Sequence, residues 1–223
     1  MTVSSKSPLE SSRRLLADMA RKRPEHDPWA EATRHLKSAD PKLVPLIEKV
    51  GPCTLRPAED LLATLANSIV AQQISAKAAR SIFDKVSSGM NSPWRPEDLN
   101  RMDDEFLKSC GVSPQKRGYL ASLFEIVRIG KLHLAGLRDM GDEEVIAELT
   151  QVKGIGRWTA EMFLIFALNR PDVLPMADLG IKTGLQRLYK LDEAPSLSAG
   201  EELTRHWQPF RSVASWYLWR MFD

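Results

Sequence analysis

The chain reads VKGIGRWTA from Val152 to Ala160, and the acidic string GDEE precedes it at Gly141–Glu144. Acidic residues in a first turn complement the positive end of a helix and its unpaired amides. We therefore predict a helix from about Asp142 to Val152. Gly154 and Gly156 can both adopt positive φ, which would end that helix and permit a tight reversal of the chain.

A second helix is predicted from Arg157 to about Leu168, directly after the two glycines. Its first amides, up to Thr159, and the bare glycine backbone would form a concave set of donors suited to a phosphate oxygen. Lys153 and Arg157 add positive charge at the same place. The alternative is an ordinary helical hairpin whose glycines only cap, but the following Trp-Thr-Ala favours the phosphate site.

The composition places limits on the class of protein. The chain has 223 residues, of which 43% are hydrophobic, so it can bury a sizeable core in one compact unit with two lobes. A net charge of +2 neither demands nor excludes a nucleic-acid partner, and any DNA-binding charge must be local. Two cysteines cannot ligate a four-cysteine cluster, so we expect no iron–sulfur cluster.

Targeting signals are also lacking in the sequence. No run approaches the twenty or so apolar residues of a membrane span, and the N-terminus has no signal-peptide core. We therefore expect an intracellular protein, in the cytoplasm and nucleoid or in a nucleus, with no membrane partner. Residues 1–27 are serine-rich and then basic, which predicts a partly disordered tail. The alternative is a short helix with Leu15, Leu16 and Met19 on one face.

Apolar residues recur at helical spacing through most of the chain, as in Leu61, Leu65 and Ile69. Period-two alternation never persists for more than a few residues, so strands are not predicted. The expected fold is all-α, a two-lobed helical bundle that contains the hairpin. Further helices are predicted at 29–38, after Asp40-Pro41, around 61–70, from about Ser75, at 103–109, 114–130 and 179–190, and in 203–222.

A family resemblance rests on three features: VKGIGRWTA, the proline-containing connection Asn169–Pro175, and Asp178. Together they resemble the helix-hairpin-helix, Gly/Pro-rich loop and aspartate signature of the base-excision DNA glycosylase superfamily. SIVAQQISAKAA at Ser68–Ala79 is similar to the segment that enters the duplex in the 3-methyladenine DNA glycosylase II branch. The resemblance implies a glycosylase domain over 28–223, with an active-site cleft between two helical lobes.

Asp178 stands just before the predicted Leu179–Lys190 helix, where it would serve as an N-cap. The positive end of the helix would favour its negative charge. The resemblance implies that Asp178 is also the single catalytic carboxylate. An N-glycosidic bond that breaks through a sugar cation needs an anion beside it.

The resemblance also implies a base pocket formed by Trp158, Met162, Trp207 and Phe210. Strand-nicking members of the superfamily carry a Schiff-base lysine where this chain has Trp158, so a monofunctional enzyme is implied. The indole face would attract a positively charged alkylated purine, although a core position is the alternative. Met162 replaces a tyrosine of the branch, and Phe210 replaces the second tryptophan of its Trp-x-Pro-Trp-Arg-Ser string.

Two further sites follow from the resemblance. Gln73 or Ile74 occupies the place of the residue that fills the gap left by the flipped nucleotide; the alternative is a loop glutamine bonded to local backbone. The hairpin of this family binds a monovalent cation through main-chain carbonyls, which would here be those of Thr150, Val152 and Ile155. We therefore expect a structural Na⁺ or K⁺ ion but no required cofactor.

The expected function is hydrolysis of the N-glycosidic bond of alkylated purines, of the 3-methyladenine type, in base excision repair. The expected partner of this monomer is double-stranded DNA that contains alkylated bases or abasic sites. One alternative is a monofunctional glycosylase for uracil, hypoxanthine or mismatched bases. Another is a non-catalytic helix-hairpin-helix DNA-binding protein, which would have no use for the Asp178 carboxylate.

Overall fold

The structure, a computed structural model, describes residues 27–222. The tail predicted for residues 1–27 therefore lies outside the described residues, apart from Asp27. All regular secondary structure within 27–222 is helical, which confirms the all-α prediction. The chain divides into two compact units, one formed by Pro57–Leu168 and one whose described residues are 27–56 and 169–222.

The α-helices of the described residues are α1 (Ala30–Ala39), α2 (Val44–Val50), α3 (Leu61–Val70), α4 (Ala76–Ser88), α5 (Asp104–Ser109), α6 (Pro114–Arg128), α7 (Asp142–Thr150), α8 (Arg157–Phe166), α9 (Leu179–Tyr189), α10 (Leu197–Leu203) and α11 (Arg211–Arg220). Short 3₁₀ turns lie at Pro41–Leu43, Pro96–Arg101, Leu134–Arg138 and Arg205–Trp207. None of these helices is long and apolar enough to cross a membrane.

Side-chain caps begin many of these helices, because a short polar side chain can accept a hydrogen bond from an otherwise unpaired first-turn amide. Asp40 caps the first 3₁₀ turn, as predicted from the Asp-Pro pair, and Ser75 caps α4. Asp103 caps α5 through the amide of Phe106 at 2.7 Å. The starts of these helices are therefore determined locally.

The unit Pro57–Leu168 is built around α3, whose ten residues are all buried. Helices α4, α6 and α8 pack against it. Leu65, Ile69 and Phe163 contribute fully buried side chains to this core. Burial of this kind stabilises a fold by roughly 1.5–3 kcal/mol for each large apolar side chain. The hairpin and the turn after α3 therefore both adjoin a packed core.

The second unit is built around α11, in which residues 212–219 are all buried. Helices α1, α2 and α9 pack against it. Asp40 is buried in this unit and accepts hydrogen bonds from the Tyr189 hydroxyl at 2.6 Å and from Trp207 Nε1 at 2.9 Å. A buried carboxylate must be paired in this way, since an unpaired buried charge is strongly destabilising.

Candidate active site and DNA-binding hairpin

Asp178 is fully buried, at 0% exposure, and is the N-cap of α9. Its Oδ1 accepts a hydrogen bond from the amide of Ile181 at 3.0 Å, which confirms the predicted cap. The same oxygen accepts a second hydrogen bond from Trp219 Nε1, also at 3.0 Å. Helix α9 and the Trp219 indole therefore fix the orientation of the carboxylate, and the positive end of α9 favours its negative charge.

The connection that precedes Asp178 is held by the start of α11. The Arg211 guanidinium forms a two-point ion pair with Asp172, with distances of 2.7 and 2.8 Å. The Ser212 hydroxyl accepts a hydrogen bond from the amide of Val173 at 2.8 Å, and the amide of Ser212 donates to the carbonyl of Pro171 at 3.0 Å. Helix α11 thus supports the loop before Asp178 through Arg211 and Ser212, and Asp178 itself through Trp219.

The hairpin joins α7 to α8 in the unit Pro57–Leu168, close to the predicted bounds. Gly154 adopts positive φ at +86°, as predicted. Gly156, which could also have adopted positive φ, does not do so: its φ of −96° and ψ of 174° are extended, because it is the N-cap of α8. The amide of Ile155 donates to the carbonyl of Val152 at 3.1 Å and closes the turn.

The two glycines have different surroundings. A Cβ atom added to Gly154 would collide with the ring of Tyr119, and its carbonyl accepts a hydrogen bond from Gln72 Nε2 at 2.8 Å. A Cβ atom added to Gly156 would meet nothing within 4 Å. Gly154 is therefore required by the fold of the hairpin itself. Gly156 leaves open space in front of the first amides of α8.

The two positively charged side chains of the hairpin, Arg157 and Lys153, also have different surroundings. Arg157 donates to both carboxylate oxygens of Glu143, at 2.5 and 2.9 Å, and to Glu161 at 3.1 Å. The hydrogen bonds between them raise the pKa of Arg157 and lower the pKa of Glu143. Arg157, predicted as a phosphate ligand, thus links α7 to α8, whereas Lys153 is exposed. Thr159 is buried, so its contribution to a phosphate site is limited to its amide in the first turn of α8.

The turn between α3 and α4 contains the two candidates for the wedge residue. Gln73 is exposed and has a φ of +56°, a left-handed conformation that is uncommon for residues with a Cβ atom. Ile74 is partly buried and packs against Ala71 and Ala79. Of the two wedge candidates, Gln73 therefore has the more exposed side chain.

The four predicted base-pocket residues divide into two pairs. Trp158, on α8, and Phe210, at the start of α11, are partly exposed. Phe210 contacts the His35 ring edge-to-face, with centroids 5.4 Å apart. Met162 and Trp207 are fully buried, and the Trp207 indole is bonded to Asp40. Met162 and Trp207 therefore have no exposed surface with which to contact a base in this conformation, and their place in the pocket stays a prediction.

The hairpin turn offers oxygen ligands for a cation. Within residues 27–222, no group of three or more His, Cys, Asp or Glu side chains could hold a metal ion. The carbonyl of Val152 accepts one hydrogen bond, from Ile155, and a carbonyl oxygen has a second lone pair. Carbonyl oxygens are hard ligands of the kind that hard metal cations prefer. The carbonyls of Thr150, Val152 and Ile155 are therefore chemically suited to Na⁺ or K⁺.

Four residues that support these sites were missed by sequence reasoning: Trp219, Arg211, Gln72 and Tyr119. Trp219 bonds to a residue 41 positions earlier, and Gln72 bonds to one 82 positions later. Arg211 lies in the string Trp207–Ser212, which was compared above with Trp-x-Pro-Trp-Arg-Ser. Nothing in the sequence indicated that its partner would be Asp172. Long-range side-chain pairs of this kind leave no local pattern in a single sequence.

The family model of HhH-GPD superfamily base excision DNA repair proteins matches residues 66–209 of this chain. The match includes the hairpin, the turn with Gln73, and Asp178. The chain belongs to this family, which confirms the resemblance seen in VKGIGRWTA and Asp178.

Several similar proteins are named 3-methyladenine DNA glycosylases. DNA-3-methyladenine glycosylase 1 of Schizosaccharomyces pombe is 36% identical over 85% of this chain and 86% of the relative. A structure of 3-methyladenine DNA glycosylase from the same organism, in complex with abasic DNA, matches with a TM-score of 0.69 and 35% identity, over 86% of this chain and 96% of the other. The crystal structure of DNA-3-methyladenine glycosidase from Bacillus halodurans matches with a TM-score of 0.74 and 36% identity, over 85% and 88%.

Proposed function

We propose that the protein is a monofunctional DNA glycosylase that excises alkylated purines of the 3-methyladenine type in base excision repair. The observation that carries the proposal is the buried Asp178 carboxylate, held by Trp219 and the first turn of α9 in a chain of the HhH-GPD family. A DNA-binding module without activity would have no use for a carboxylate oriented in this way.

In the proposed reaction, the bond between C1′ of the sugar and the base nitrogen breaks, and its electron pair leaves with the base. The sugar becomes positively charged, and the Asp178 carboxylate stabilises this charge as it develops. Water then forms a bond to C1′ and loses a proton to solvent. An alkylated purine is already positively charged, so it departs as a neutral molecule. This hydrolysis requires no cofactor.

Trp158 supports a monofunctional reaction. It takes the place of the lysine that would form a Schiff base with the sugar, so the products are a free base and an intact strand with an abasic site. Trp158 and Phe210 are the partly exposed aromatic residues of the predicted pocket. An indole face attracts a cationic purine by roughly 0.5–2 kcal/mol, which favours alkylated bases over neutral uracil or hypoxanthine.

We propose that the hairpin binds a DNA phosphate through the amides of Gly154 and of residues 156–159, with the Lys153 side chain adding charge. Gln73 would fill the space left by the flipped nucleotide, since flipping costs a few kcal/mol of stacking and pairing. Carbonyls of Thr150, Val152 and Ile155 could hold a Na⁺ or K⁺ ion next to that phosphate. In this scheme the Arg157 side chain keeps α7 and α8 together and does not contact DNA.

The test is to incubate the protein with methylated duplex DNA and identify the released bases by mass spectrometry. Release of 3-methyladenine without strand cleavage is expected. Release of uracil alone from a uracil-containing duplex would contradict the proposal, as would DNA binding without any base release.

A matched pair of variants tests the role of the Trp219 hydrogen bond. Trp219→Phe should slow single-turnover release by about tenfold or more, because a hydrogen bond to a charged group contributes roughly 1.5–3 kcal/mol. Trp216→Phe changes another buried tryptophan of α11, which packs edge-to-face on Tyr217 with centroids 5.0 Å apart. That control should keep the wild-type rate. An equal fall in the single-turnover rate in both variants would mean that Trp219 only stabilises the core.

A further inference from the structure

The exposed Gln73 is held in its conformation from both sides. A φ of +56° is unfavourable for a residue with a Cβ atom, so it persists only where the neighbouring residues are fixed. On one side, Ile74 packs against Ala71 and Ala79. On the other side, Gln72 Nε2 donates to the carbonyl of Gly154 at 2.8 Å. The conformation of Gln73 therefore depends on a contact with the hairpin.

Helix α6 joins the same two elements. Lys116 Nζ donates to the carbonyl of Val70, at the end of α3, at 2.7 Å. One turn further on, the Tyr119 ring lies against Gly154 and its hydroxyl accepts from Gln115 Nε2 at 2.6 Å. The turn that carries Gln73 and the hairpin turn thus share one support, and the Gln72 hydrogen bond connects them directly.

We propose that Gln72 is a positioning residue that couples phosphate binding at the hairpin to insertion of Gln73 into the duplex. The inference rests on the proposed function of both elements. A phosphate bound at the amides beyond Gly154 fixes the duplex relative to the hairpin, and the Gln72 hydrogen bond fixes Gln73 relative to the same hairpin. Phosphate binding at the hairpin and insertion of Gln73 therefore depend on each other.

A purely structural role predicts something different. The residue Gly154 is exposed, so water can replace the Gln72 amide at its carbonyl. Loss of the bond should therefore leave the melting temperature close to that of the wild type. It should nevertheless change the position of Gln73, which only an assay with DNA detects.

The experiment uses duplexes with a tetrahydrofuran abasic site and an adjacent 2-aminopurine, whose fluorescence rises when a wedge side chain unstacks it. The variants are Gln72→Ala, Gln73→Ala, the double variant, and Gln186→Ala as a control. Gln186 Nε2 also donates to a backbone carbonyl, that of Asp192 at 3.0 Å, at an exposed site in the other unit. Dissociation constants and melting temperatures are measured in parallel.

Gln72→Ala should lower the fluorescence change to the level of Gln73→Ala and weaken binding by about fivefold. The dissociation constant of the double variant should lie within about twofold of that of either single variant, because the effects of coupled residues are not additive. Gln186→Ala should match the wild type. If the losses of affinity in the two single variants multiply in the double variant, the proposed coupling is wrong. A Gln72→Ala protein with the wild-type fluorescence change would also contradict it.

Folding is checked with Gln72→Met, which keeps the side-chain length without a donor. If both Gln72 variants fail to fold, the residue supports the fold and the proposal is wrong. The 2-aminopurine fluorescence change of the wild type shows whether a failure concerns this inference or the proposed function. Absence of any fluorescence change with the wild type would reject insertion of Gln73 itself, whereas a wild-type change that survives in Gln72→Ala rejects only the coupling.

Discussion

Serine substitutions at the two hairpin glycines should separate folding from DNA binding. At Gly154, a serine must adopt a φ of +86°, which costs about 1–2 kcal/mol for a residue with a Cβ atom. The added Cβ atom would also displace the Tyr119 ring and its hydrogen bond with Gln115, at a further cost of about 1 kcal/mol. The sum of about 2–3 kcal/mol corresponds to a fall in melting temperature of roughly 4–12 °C.

Gly156→Ser should behave differently. The backbone there is extended, the space in front of it is open, and serine is a better N-cap than glycine. The melting temperature should therefore stay within about 2 °C of the wild type. If the bare backbone of Gly156 lets a phosphate approach the amides of α8, the added hydroxymethyl group should obstruct it. We expect the dissociation constant for an abasic duplex to rise at least about tenfold, or 1.4 kcal/mol.

The assay combines thermal melting with fluorescence anisotropy on a labelled abasic duplex, and both variants are compared at one salt concentration. A folded Gly156→Ser protein that binds as tightly as the wild type would refute the reasoning. The phosphate would then lie elsewhere, and the hairpin turn would serve only to join two helices. Gly154→Ser with unchanged melting would show that Tyr119 can move aside at little cost.

Four other changes have definite expected outcomes. Asp178→Asn should abolish base release and leave affinity for abasic DNA within a few-fold, since asparagine is also a good N-cap and the lost charge acts in the transition state. Lys153→Ala should lower the slope of log affinity against log salt by about 0.9 for one phosphate contact. Arg157→Ala should leave that slope unchanged and lower stability by about 1 kcal/mol through its ion pairs. Burial alone would raise the pKa of Asp40, but hydrogen bonds from Tyr189 and other donors lower it below 3.8. Its stabilising effect is therefore complete above about pH 4 and lost as the pH falls through the lowered pKa, so Asp40→Asn should flatten the acid side of a melting profile.

Each of these has an outcome that counts against it. More than about a tenth of the wild-type single-turnover rate in Asp178→Asn would remove that residue from its catalytic role. A reduced salt slope in Arg157→Ala would place its guanidinium on DNA. Parallel loss of stability in wild type and Asp40→Asn below about pH 4 would assign acid unfolding to other carboxylates.

The sequence sufficed for features that depend on near neighbours. The starts of α4 and α9 were predicted from Ser75 and Asp178, because an N-cap bonds to an amide three residues on. The hairpin was predicted from its glycines and the acidic first turn of α7. The conformation of Gly156 could not be predicted, because a glycine can serve as an extended N-cap as well as a left-handed corner, and the residue type alone does not distinguish the two.

The site was harder to predict where it depends on distant residues. Trp207 and Met162 were expected in a pocket, yet an aromatic or sulfur-containing side chain looks the same in a core and in a binding site. Arg157 was expected on DNA because its positive charge lies next to the hairpin turn. Its partner Glu143 lies 14 positions earlier, and only the folded hairpin brings the two together.

The order of the two units along the chain also has consequences for how the protein is made. Pro57–Leu168 is continuous in sequence, so its contacts can form as soon as that stretch has left the ribosome. The unit with Asp178 needs both flanking segments, as in the hydrogen bond from Trp207 to Asp40, which spans 167 positions. Contacts of such separation form slowly because a long loop must close first. A nascent chain would therefore complete the hairpin that is proposed to bind DNA before the carboxylate that is proposed to cleave the bond is in place.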